Sequence, residues 1–179
     1  KITRIMHIQE CVASLDQLFA ELLDLSRLES GSMQASMSNV RLDDVFDEVS
    51  RNFRMLAESR GLRLVVRKTD AWVQGDRTML ARILNNLVSN ALRYTDSGGV
   101  LVGVRHQDNG QVRIDVWDTG CGIAPEHQQR VFDEFYQVKQ STMPSGERKR
   151  GLGLGLATVR RLAELCGCAL TLSSRPARG

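Results

Sequence analysis

Residues 84–95 of this chain read LNNLVSNALRYT, and this stretch decides most of what can be inferred about the fold. Apolar side chains recur three and four positions apart from Leu80 to Leu92, which is the spacing of one buried helical face. Asp76 stands where such a helix would begin. The predicted buried face consists of Leu80, Ile83, Leu84, Leu87, Val88, Ala91 and Leu92. The sequence therefore predicts an amphipathic helix that starts near residue 76.

Two asparagines of this helix are candidate ligands. Asn86 and Asn90 lie four positions apart and so face the same way, and Arg93 and Tyr94 extend the same edge. Amide oxygens are neutral, hard ligands, which suit a Mg²⁺ ion that also contacts phosphate oxygens. Asn is a poor helix former, so two on one face favour a function. A solvated polar strip is an equal alternative for this pair alone.

A second motif follows a predicted strand. Residues 118–123 read DTGCGI, and a carboxylate at a strand end, here Asp118, can accept a hydrogen bond from an exocyclic amine. Glycines two positions apart, Gly120 and Gly122, allow the backbone to approach a flat ring closely. Taken alone, the hexapeptide is better explained as an ordinary turn that leaves a strand.

A third motif, GLGLGL at residues 151–156, opens a predicted helix. The N–H groups and the positive end of the dipole at a helix start attract phosphates. A P-loop would require Gly-Lys-Ser/Thr, and a dinucleotide-binding turn would require GxGxxG after a first strand. Neither pattern is present, so this motif by itself is weak evidence.

The rest of the chain predicts interspersed helices and strands. The predicted helices follow Asp43 as N-cap and end at Gly61, cover about 125–135, and cover 154–166 before Gly167; the predicted strands are 62–66, 100–106, 111–117 and 169–173. Asp108, Asn109 and Gly110 form a strong hairpin signal between two of these strands. The pattern predicts an α+β sandwich with an antiparallel or mixed sheet and helices on one face.

The N-terminal part differs from the rest. Residues 1–29 contain no Pro or Gly and carry apolar residues alternately three and four apart, which predicts a helix for a bundle or a dimer. An amphipathic helix lying on the same domain is the alternative. Small polar residues follow at 30–36 and predict a linker. We therefore divide the chain into a helix at 1–31, a linker at 32–39 and a second domain at 40–179.

The composition excludes several classes of protein. Apolar residues make up 42% and charged residues 25%, so a disordered chain is excluded, and no apolar run reaches the roughly 20 residues that span a bilayer. We expect a cytoplasmic segment, which leaves an inner-membrane anchor elsewhere in the whole protein open. The net charge of +3 is too small to indicate nucleic-acid binding, and it arises entirely within 139–150. Without CxxC spacing, the four cysteines are expected to be reduced and mostly core-filling: Cys11, Cys121, Cys166 and Cys168.

Taken together and in this order, the motifs resemble the ATP-binding domain of bacterial sensor histidine kinases, a member of the GHKL (Bergerat) group. The N box would be 84–95, the G1 box 118–123, the F box 132–135 (Phe132 to Phe135) and the G2 box 151–156. The resemblance covers about 39–179, and LLDLSRLESG at 22–31 is similar to the end of the second helix of the family's dimerisation and phosphoacceptor domain. It implies the two-layer sandwich shared with DNA gyrase, MutL-like and heat-shock ATPases.

The resemblance also implies roles for individual residues. Asn86 and Asn90 would hold Mg²⁺ and act with Arg93 in catalysis, and Asp118 would accept from the adenine 6-amino group. The residues that the resemblance assigns to ATP are Asn86, Asn90, Arg93, Tyr94, Asp118, Gly120, Gly122, Ile123, Phe135, Lys139, Arg150, Gly151, Leu152, Gly153, Leu154 and Gly155. A lid over 136–150 would place its basic residues above the triphosphate, with Lys139, Arg148, Lys149 and Arg150 as candidates for the γ-phosphate. For each of these cations, a solvated loop is the alternative.

The chain departs from the family pattern in three places. The acceptor His followed by an acidic residue is missing, because His7 is followed by Ile8 and is expected to be an ordinary packing or surface residue. His106 and His127 receive no catalytic role. Arg93 replaces the usual Lys, which keeps the charge and changes its geometry. The family usually continues past Gly179 into a last strand, so we expect a fragment.

The expected function is transfer of the ATP γ-phosphoryl group to a His, absent from this chain, and relay to a response-regulator Asp. Expected cofactors are ATP and Mg²⁺; expected partners are the protein's own phosphoacceptor domain, a receiver domain and a second copy through the N-terminal helix, with no nucleic acid. One alternative is a regulatory module that acts by heterodimerisation. Another is an anti-sigma serine kinase or a gyrase-like ATPase, although a gyrase-type enzyme would carry a catalytic Glu where this chain has Asn86.

Overall fold

The structure is a computed structural model that describes residues 33–138 and 152–179. The predicted helix at 1–31 lies outside the described residues. So do Cys11 and the predicted phosphate ligands Lys139, Arg148, Lys149, Arg150 and Gly151.

Helices and strands are interspersed along the described chain, as the sequence predicts. In chain order they are β1 Ser38–Arg41, α1 Leu42–Ser59, β2 Arg63–Val66, β3 Trp72–Gly75, α2 Arg77–Tyr94, β4 Gly99–His106, β5 Val112–Asp118, α3 Pro125–Gln128, a 3₁₀ turn at Arg130–Phe132, and α4 Gly155–Leu165. The fold class is therefore mixed α/β, which confirms the coarse prediction.

The strands form two sheets. Strands β1 and β3 pair antiparallel, with Ser38 opposite Gly75. The second sheet has the order β2-β4-β5, in which β2 runs parallel to β4 and β4 runs antiparallel to β5. The predicted hairpin joins β4 and β5, and Gly110 takes the positive φ of 78° that its turn requires. The larger sheet is therefore mixed, and β5 ends at Asp118.

Helices α1 and α2 pack with the larger sheet around the main core. Phe46 of α1 and Val88 and Leu92 of α2 are buried with Val102 of β4, each at most 1% exposed. Complete burial of such a side chain contributes about 1.5–3 kcal/mol. The buried face predicted for α2 is confirmed at these positions. This packing fixes the rotation of α2 and hence the direction of its opposite, polar face.

A smaller apolar cluster joins α2 to α4. Its buried members are Met79, Ile83, Val159, Leu162, Ala163 and Cys166, and Met33 and Ala35 pack against it. The backbone N–H of Ser36 donates to Asp76 Oδ2 at 2.8 Å, and Asp76 Oδ1 accepts from Met79 N at 3.0 Å. The residues predicted as linker thus contact α2, and β1 already begins at Ser38.

The environment of Asp76 shifts its acidity. Burial acts to raise the pKa of this carboxyl, but the backbone N–H groups of Met79, Ser36 and Thr78 outweigh it and hold the pKa below its ordinary value of 3.8. Asp76 is therefore ionised in the folded protein at neutral pH and caps the first turn of α2.

Several local predictions are wrong. No strand forms at 169–173, because the segment joins neither sheet of the described chain and Thr171, Leu172 and Ser173 stay exposed. Asp43 is not an N-cap; it lies inside the first turn of α1 and accepts from Thr69 N at 3.2 Å. The helix predicted at 125–135 is two shorter pieces, α3 and the 3₁₀ turn.

The cysteine prediction holds in part. Cys121, Cys166 and Cys168 are free thiols. Cys166 fills the core as predicted, whereas Cys168 is exposed, because the chain has already turned out of the core at Gly167. No helix of residues 33–138 and 152–179 combines the length and apolarity that a membrane crossing requires.

Candidate functional site

A cavity of about 260 Å³ lies between α2, the end of β5 and the start of α4. Ten of the residues predicted to bind a ligand line it: Asn86, Asn90, Arg93, Tyr94, Asp118, Gly122, Ile123, Leu152, Gly153 and Gly155. They come from three sequence motifs that are up to 69 positions apart, between Asn86 and Gly155. Folding therefore brings the three motifs to one place.

The asparagines of α2 divide between two faces. Asn86 donates from Nδ2 to the carbonyl of Arg82 at 3.0 Å, which orients its amide along the cavity face of the helix. Asn85 instead accepts at Oδ1 from Asn52 Nδ2 of α1 at 3.2 Å. The solvated-strip alternative therefore describes Asn85 better than Asn86 and Asn90, which both line the cavity.

The first residue of α4 lies directly against this pair. A Cβ placed on Gly155 would lie 3.2 Å from Asn86 Oδ1 and 3.5 Å from Asn90 Nδ2. Helix α4 has 11 residues, and no side chain of the described ranges caps its start. Its first N–H groups lack partners within the helix and carry the positive end of its dipole. The cavity thus combines two amide side chains with a helix start that favours an anion.

The end of β5 forms another part of the wall. Asp118 Oδ1 accepts from Gly120 N at 2.8 Å, and a carboxylate has lone pairs for further donors. Cys121 N donates to the carbonyl of Tyr94 at 3.1 Å, which ties this turn to the end of α2. A Cβ on Gly120 would lie 2.5 Å from the same carbonyl oxygen. The glycine is therefore required for the contact that places Asp118 beside Tyr94.

Among residues 33–138 and 152–179, three predicted ligand residues do not line the cavity. Gly120 lies against the Tyr94 carbonyl and the Asp118 carboxylate, and Leu154 is fully buried. Phe135 is 59% exposed and has a φ of 59°. The neighbouring Tyr136 lines the cavity instead.

Sequence reasoning also missed other lining residues. They include Ser89, Val116, Cys121, Val131, Gln137, Val138, Leu172, Ser173, Ser174 and Gly179. Tyr136 and Gln137 directly follow the F box, so continuing that motif by two residues could have found them. No sequence signal identifies Ser173 and Ser174 as lining residues. They line the cavity because the chain passes back beside Ile123, whose N–H donates to Ser174 Oγ at 2.8 Å.

The comparison with known families identifies this arrangement. The family described as Histidine kinase-, DNA gyrase B-, and HSP90-like ATPase matches residues 75–179, which include all three motifs. The chain belongs to this ATPase family. Its matched range begins immediately before α2 and contains every described lining residue of the cavity.

Two relatives of the chain are described as a sensor protein and a sensor-like histidine kinase. The chain is 30% identical to the aerobic respiration control sensor protein ArcB of Escherichia coli K12, over all of this chain and 23% of that protein. It is 34% identical to the sensor-like histidine kinase SenX3 of Mycobacterium tuberculosis H37Rv, over 92% of this chain and 40% of SenX3. The chain thus spans less than half of the length of either relative.

A solved structure supports the same grouping. Full-length ShkA, determined in complex with AMPPNP, superposes with a TM-score of 0.75 and 28% identity, over 92% of this chain and 34% of ShkA. Residues 75–179 are therefore a histidine kinase-like ATPase domain, and the chain is similar there to proteins described as sensor proteins and histidine kinases.

Proposed function

We propose that this domain binds Mg·ATP in the cavity and transfers the γ-phosphoryl group to a histidine of the protein's own phosphoacceptor domain. A response-regulator receiver would then accept the group on an aspartate. The observation that carries the proposal is the convergence of Asn86 and Asn90, Asp118 and the start of α4 on one cavity. Each supplies chemistry that a different part of the nucleotide needs.

The adenine end belongs near Asp118. Its carboxylate accepts a hydrogen bond from the exocyclic amine, and Tyr94 and Ile123 supply apolar surface at the same wall. Gly122 keeps the backbone there free of a side chain, so that a flat ring fits closely.

The phosphates belong near α4. The N–H groups at its start, beside Leu152, Gly153 and Gly155, donate to phosphate oxygens, and the helix dipole favours their negative charge. Arg93, in the last turn of α2, adds a positive charge at the same cavity. Lys139 directly follows the lining residue Val138, and Arg150 and Gly151 stand within two positions before the lining residue Leu152; all three are further phosphate ligands in this proposal.

The amide pair fits a magnesium ion. Asn86 uses Nδ2 for its own helix, which leaves Oδ1 on the side of Gly155, where the phosphates are placed. Neutral amide oxygens suit Mg²⁺ when phosphate and water complete its octahedral shell. When bound, Mg²⁺ would neutralise phosphate charge and fix the phosphate geometry.

In the reaction, a histidine nitrogen forms a bond to the γ-phosphorus while the bond from that phosphorus to the β–γ bridging oxygen breaks, leaving ADP. The chain's residues position the triphosphate and stabilise its charge, which is the main protein contribution in phosphoryl transfer. Asn86, Asn90 and Arg93 are the residues assigned to this task. None of them needs to exchange a proton.

The proposal also divides the chain into parts. Residues 1–31 form the second helix of a dimerising phosphoacceptor domain, and 32–39 connect it to the catalytic domain at 40–179, with β1 already beginning at Ser38. The two sheets and the helices form a two-layer sandwich with helices on one face. The catalytic domain works in the cytoplasm, with any membrane anchor elsewhere in the protein.

Calorimetry of Mg·ATP binding tests the proposal. The wild-type chain is compared with Asn90→Ala and Asp118→Asn, and with Asn85→Ala as a matched control outside the cavity, since Asn85 bonds to Asn52 of α1. We expect Mg²⁺-dependent binding that the first two substitutions weaken at least tenfold, which corresponds to about 1.4 kcal/mol. Absence of binding by the wild type would contradict the kinase and favour the heterodimerising regulatory module.

A further inference from the structure

Tyr136 is the aromatic wall of the cavity that the sequence motifs did not predict. Its side chain is half-buried and lines the cavity, whereas its neighbour Phe135 is exposed. The backbone around it is tightly constrained. Phe135 has a φ of 59°, and a Cβ on Gly153 would lie 2.8 Å from the Tyr136 carbonyl oxygen. The phosphate-binding turn therefore packs directly on the backbone that carries this tyrosine.

Two side chains from the preceding helical pieces hold the Tyr136 ring. The phenolic oxygen lies 2.7 Å from His127 Nδ1, which is the distance of a strong hydrogen bond. The guanidinium carbon of Arg130 lies 4.3 Å from the centre of the same ring, within cation–π range. In a neutral imidazole whose Nε2 carries the ring proton, Nδ1 accepts a hydrogen bond that the phenolic O–H donates. The ring is therefore held at its tip and on its face.

The pieces that carry His127 and Arg130 are themselves anchored. Gln128 Nε2 donates to the carbonyls of Ile123 and Ser174, both at 2.9 Å, and Val131 is only 8% exposed. The helical piece that carries His127 is therefore held by these hydrogen bonds to the turn that follows β5. The contact therefore connects that turn, with its lining residue Ile123, to the cavity wall at Tyr136.

We infer that His127 is a positioning residue for nucleotide binding, which acts by holding the Tyr136 hydroxyl and so setting the place of the Tyr136 ring in the cavity wall. His127 itself does not line the cavity, so it acts through the tyrosine and not on the nucleotide. This inference rests on the proposed function, since the ligand whose fit is set is Mg·ATP.

A double-mutant cycle tests the inference. Mg·ATP affinity is measured for wild type, His127→Ala, Tyr136→Phe and the double variant. Each single change is expected to weaken binding about three- to tenfold, the range of one hydrogen bond, and the double variant is expected to be no weaker than either single one. Independent, multiplying losses, or an affinity of His127→Ala equal to wild type, would overturn the inference.

A conservative variant separates positioning from a general loss of structure. His127→Asn keeps a carbonyl acceptor near the position of Nδ1 and is expected to recover most of the affinity that His127→Ala loses. His106→Ala, an exposed histidine on β4, is the matched control and should leave affinity unchanged. If the Asn variant binds as weakly as the Ala variant, while both unfold in urea like wild type, the hydrogen bond is not the cause.

The ¹⁵N NMR spectrum of the histidine rings tests the contact between His127 and Tyr136 without relying on ATP binding. The chain contains three histidines, so the ring ¹⁵N resonances of His127 can be assigned by comparison with His127→Ala. We expect an Nδ1 shift typical of a hydrogen-bond acceptor, and its change in Tyr136→Phe. If wild type binds no Mg·ATP, the proposed function fails while this spectrum still decides the contact. If the Nδ1 chemical shift of His127 is the same in wild type and in Tyr136→Phe, the inference is overturned whether or not ATP binds.

Discussion

Helix α2 has two faces that the structure uses differently. On one face Leu84, Val88 and Leu92 are at most 3% exposed and pack in the main core. On the other, Asn86 and Asn90 line the cavity against the start of α4. The same 18 residues therefore contain both a large part of the core and the proposed binding surface. The core packing sets the rotation of the helix as a whole, so a single truncation that leaves the helix in place should keep the direction of the amides.

The comparison predicts that the two faces can be separated experimentally. Substitutions on the core face should change the free energy of unfolding and leave the affinity of the folded molecules unchanged. Substitutions on the cavity face should do the reverse. A substitution that changed both strongly would show that the two faces are energetically coupled.

The largest expected effect is on the core face. Leu92 is fully buried, so Leu92→Ala leaves a cavity and should lower the free energy of unfolding by about 3 kcal/mol. Urea unfolding measures this loss. ATP affinity, corrected for the folded fraction, should stay within about twofold of wild type, because the cavity face is not altered. A twofold change in affinity corresponds to less than about 0.5 kcal/mol of binding free energy. A tenfold loss of corrected affinity would contradict the separation of the faces.

The next effect is on the cavity side. Gly155→Ala adds a methyl group 3.2 Å from Asn86 Oδ1, where only a side-chain amide has to move. Stability should therefore stay near wild type, while Mg·ATP affinity should fall on the order of tenfold, or 1.4 kcal/mol. Gly103→Ala is the control, because its Cβ would meet only Arg67 at an ordinary 3.7 Å. Equal affinities for both variants would mean that the amides do not meet the ligand beside Gly155.

The start of α2 should show a smaller effect with a definite pH dependence. Asp76→Ala removes the N-cap and should lower the free energy of unfolding by about 1 kcal/mol at pH 7. The folded-state pKa of Asp76 is lowered, so its contribution is complete above the unfolded pKa near 3.8 and disappears as the pH falls through the folded pKa. Urea unfolding at several pH values should therefore show wild type and variant converging below about pH 4. A difference that persists or grows in acid would contradict this role.

The smallest effect is expected at Asn85, between the two faces. Its hydrogen bond to Asn52 is exposed, so Asn85→Ala should change the free energy of unfolding by no more than about 0.5 kcal/mol. Calorimetry should give wild-type Mg·ATP affinity. Loss of affinity here would mean that the site extends further around the helix than the cavity does.

Much of this could be predicted from the sequence because the signals are local. The period of α2 and the hairpin at Gly110 follow from residues close together in the chain. The order of three glycine- and asparagine-containing motifs indicated the family, and the match at residues 75–179 confirmed it.

What could not be predicted depends on pairing and packing between distant residues. Alternation at 169–173 is typical of a strand, but a strand also needs a partner edge, and none pairs with this segment in the described chain. The F box suggested Phe135, whereas the left-handed backbone at that residue and the contact with His127 place Tyr136 in the wall. The four-residue strands β1 and β3 have too little pattern to be recognised.

The polar face of α2 and the start of α4 are proposed to form one site for phosphoryl transfer. The most direct test of this claim incubates the chain with Mg²⁺ and γ-labelled ATP and a supplied acceptor helix pair that carries the missing histidine. We predict acid-labile, base-stable label on the acceptor, reduced in Asn90→Ala and retained in Asn85→Ala. An acceptor that stays unlabelled while the chain binds Mg·ATP tightly would contradict the claim.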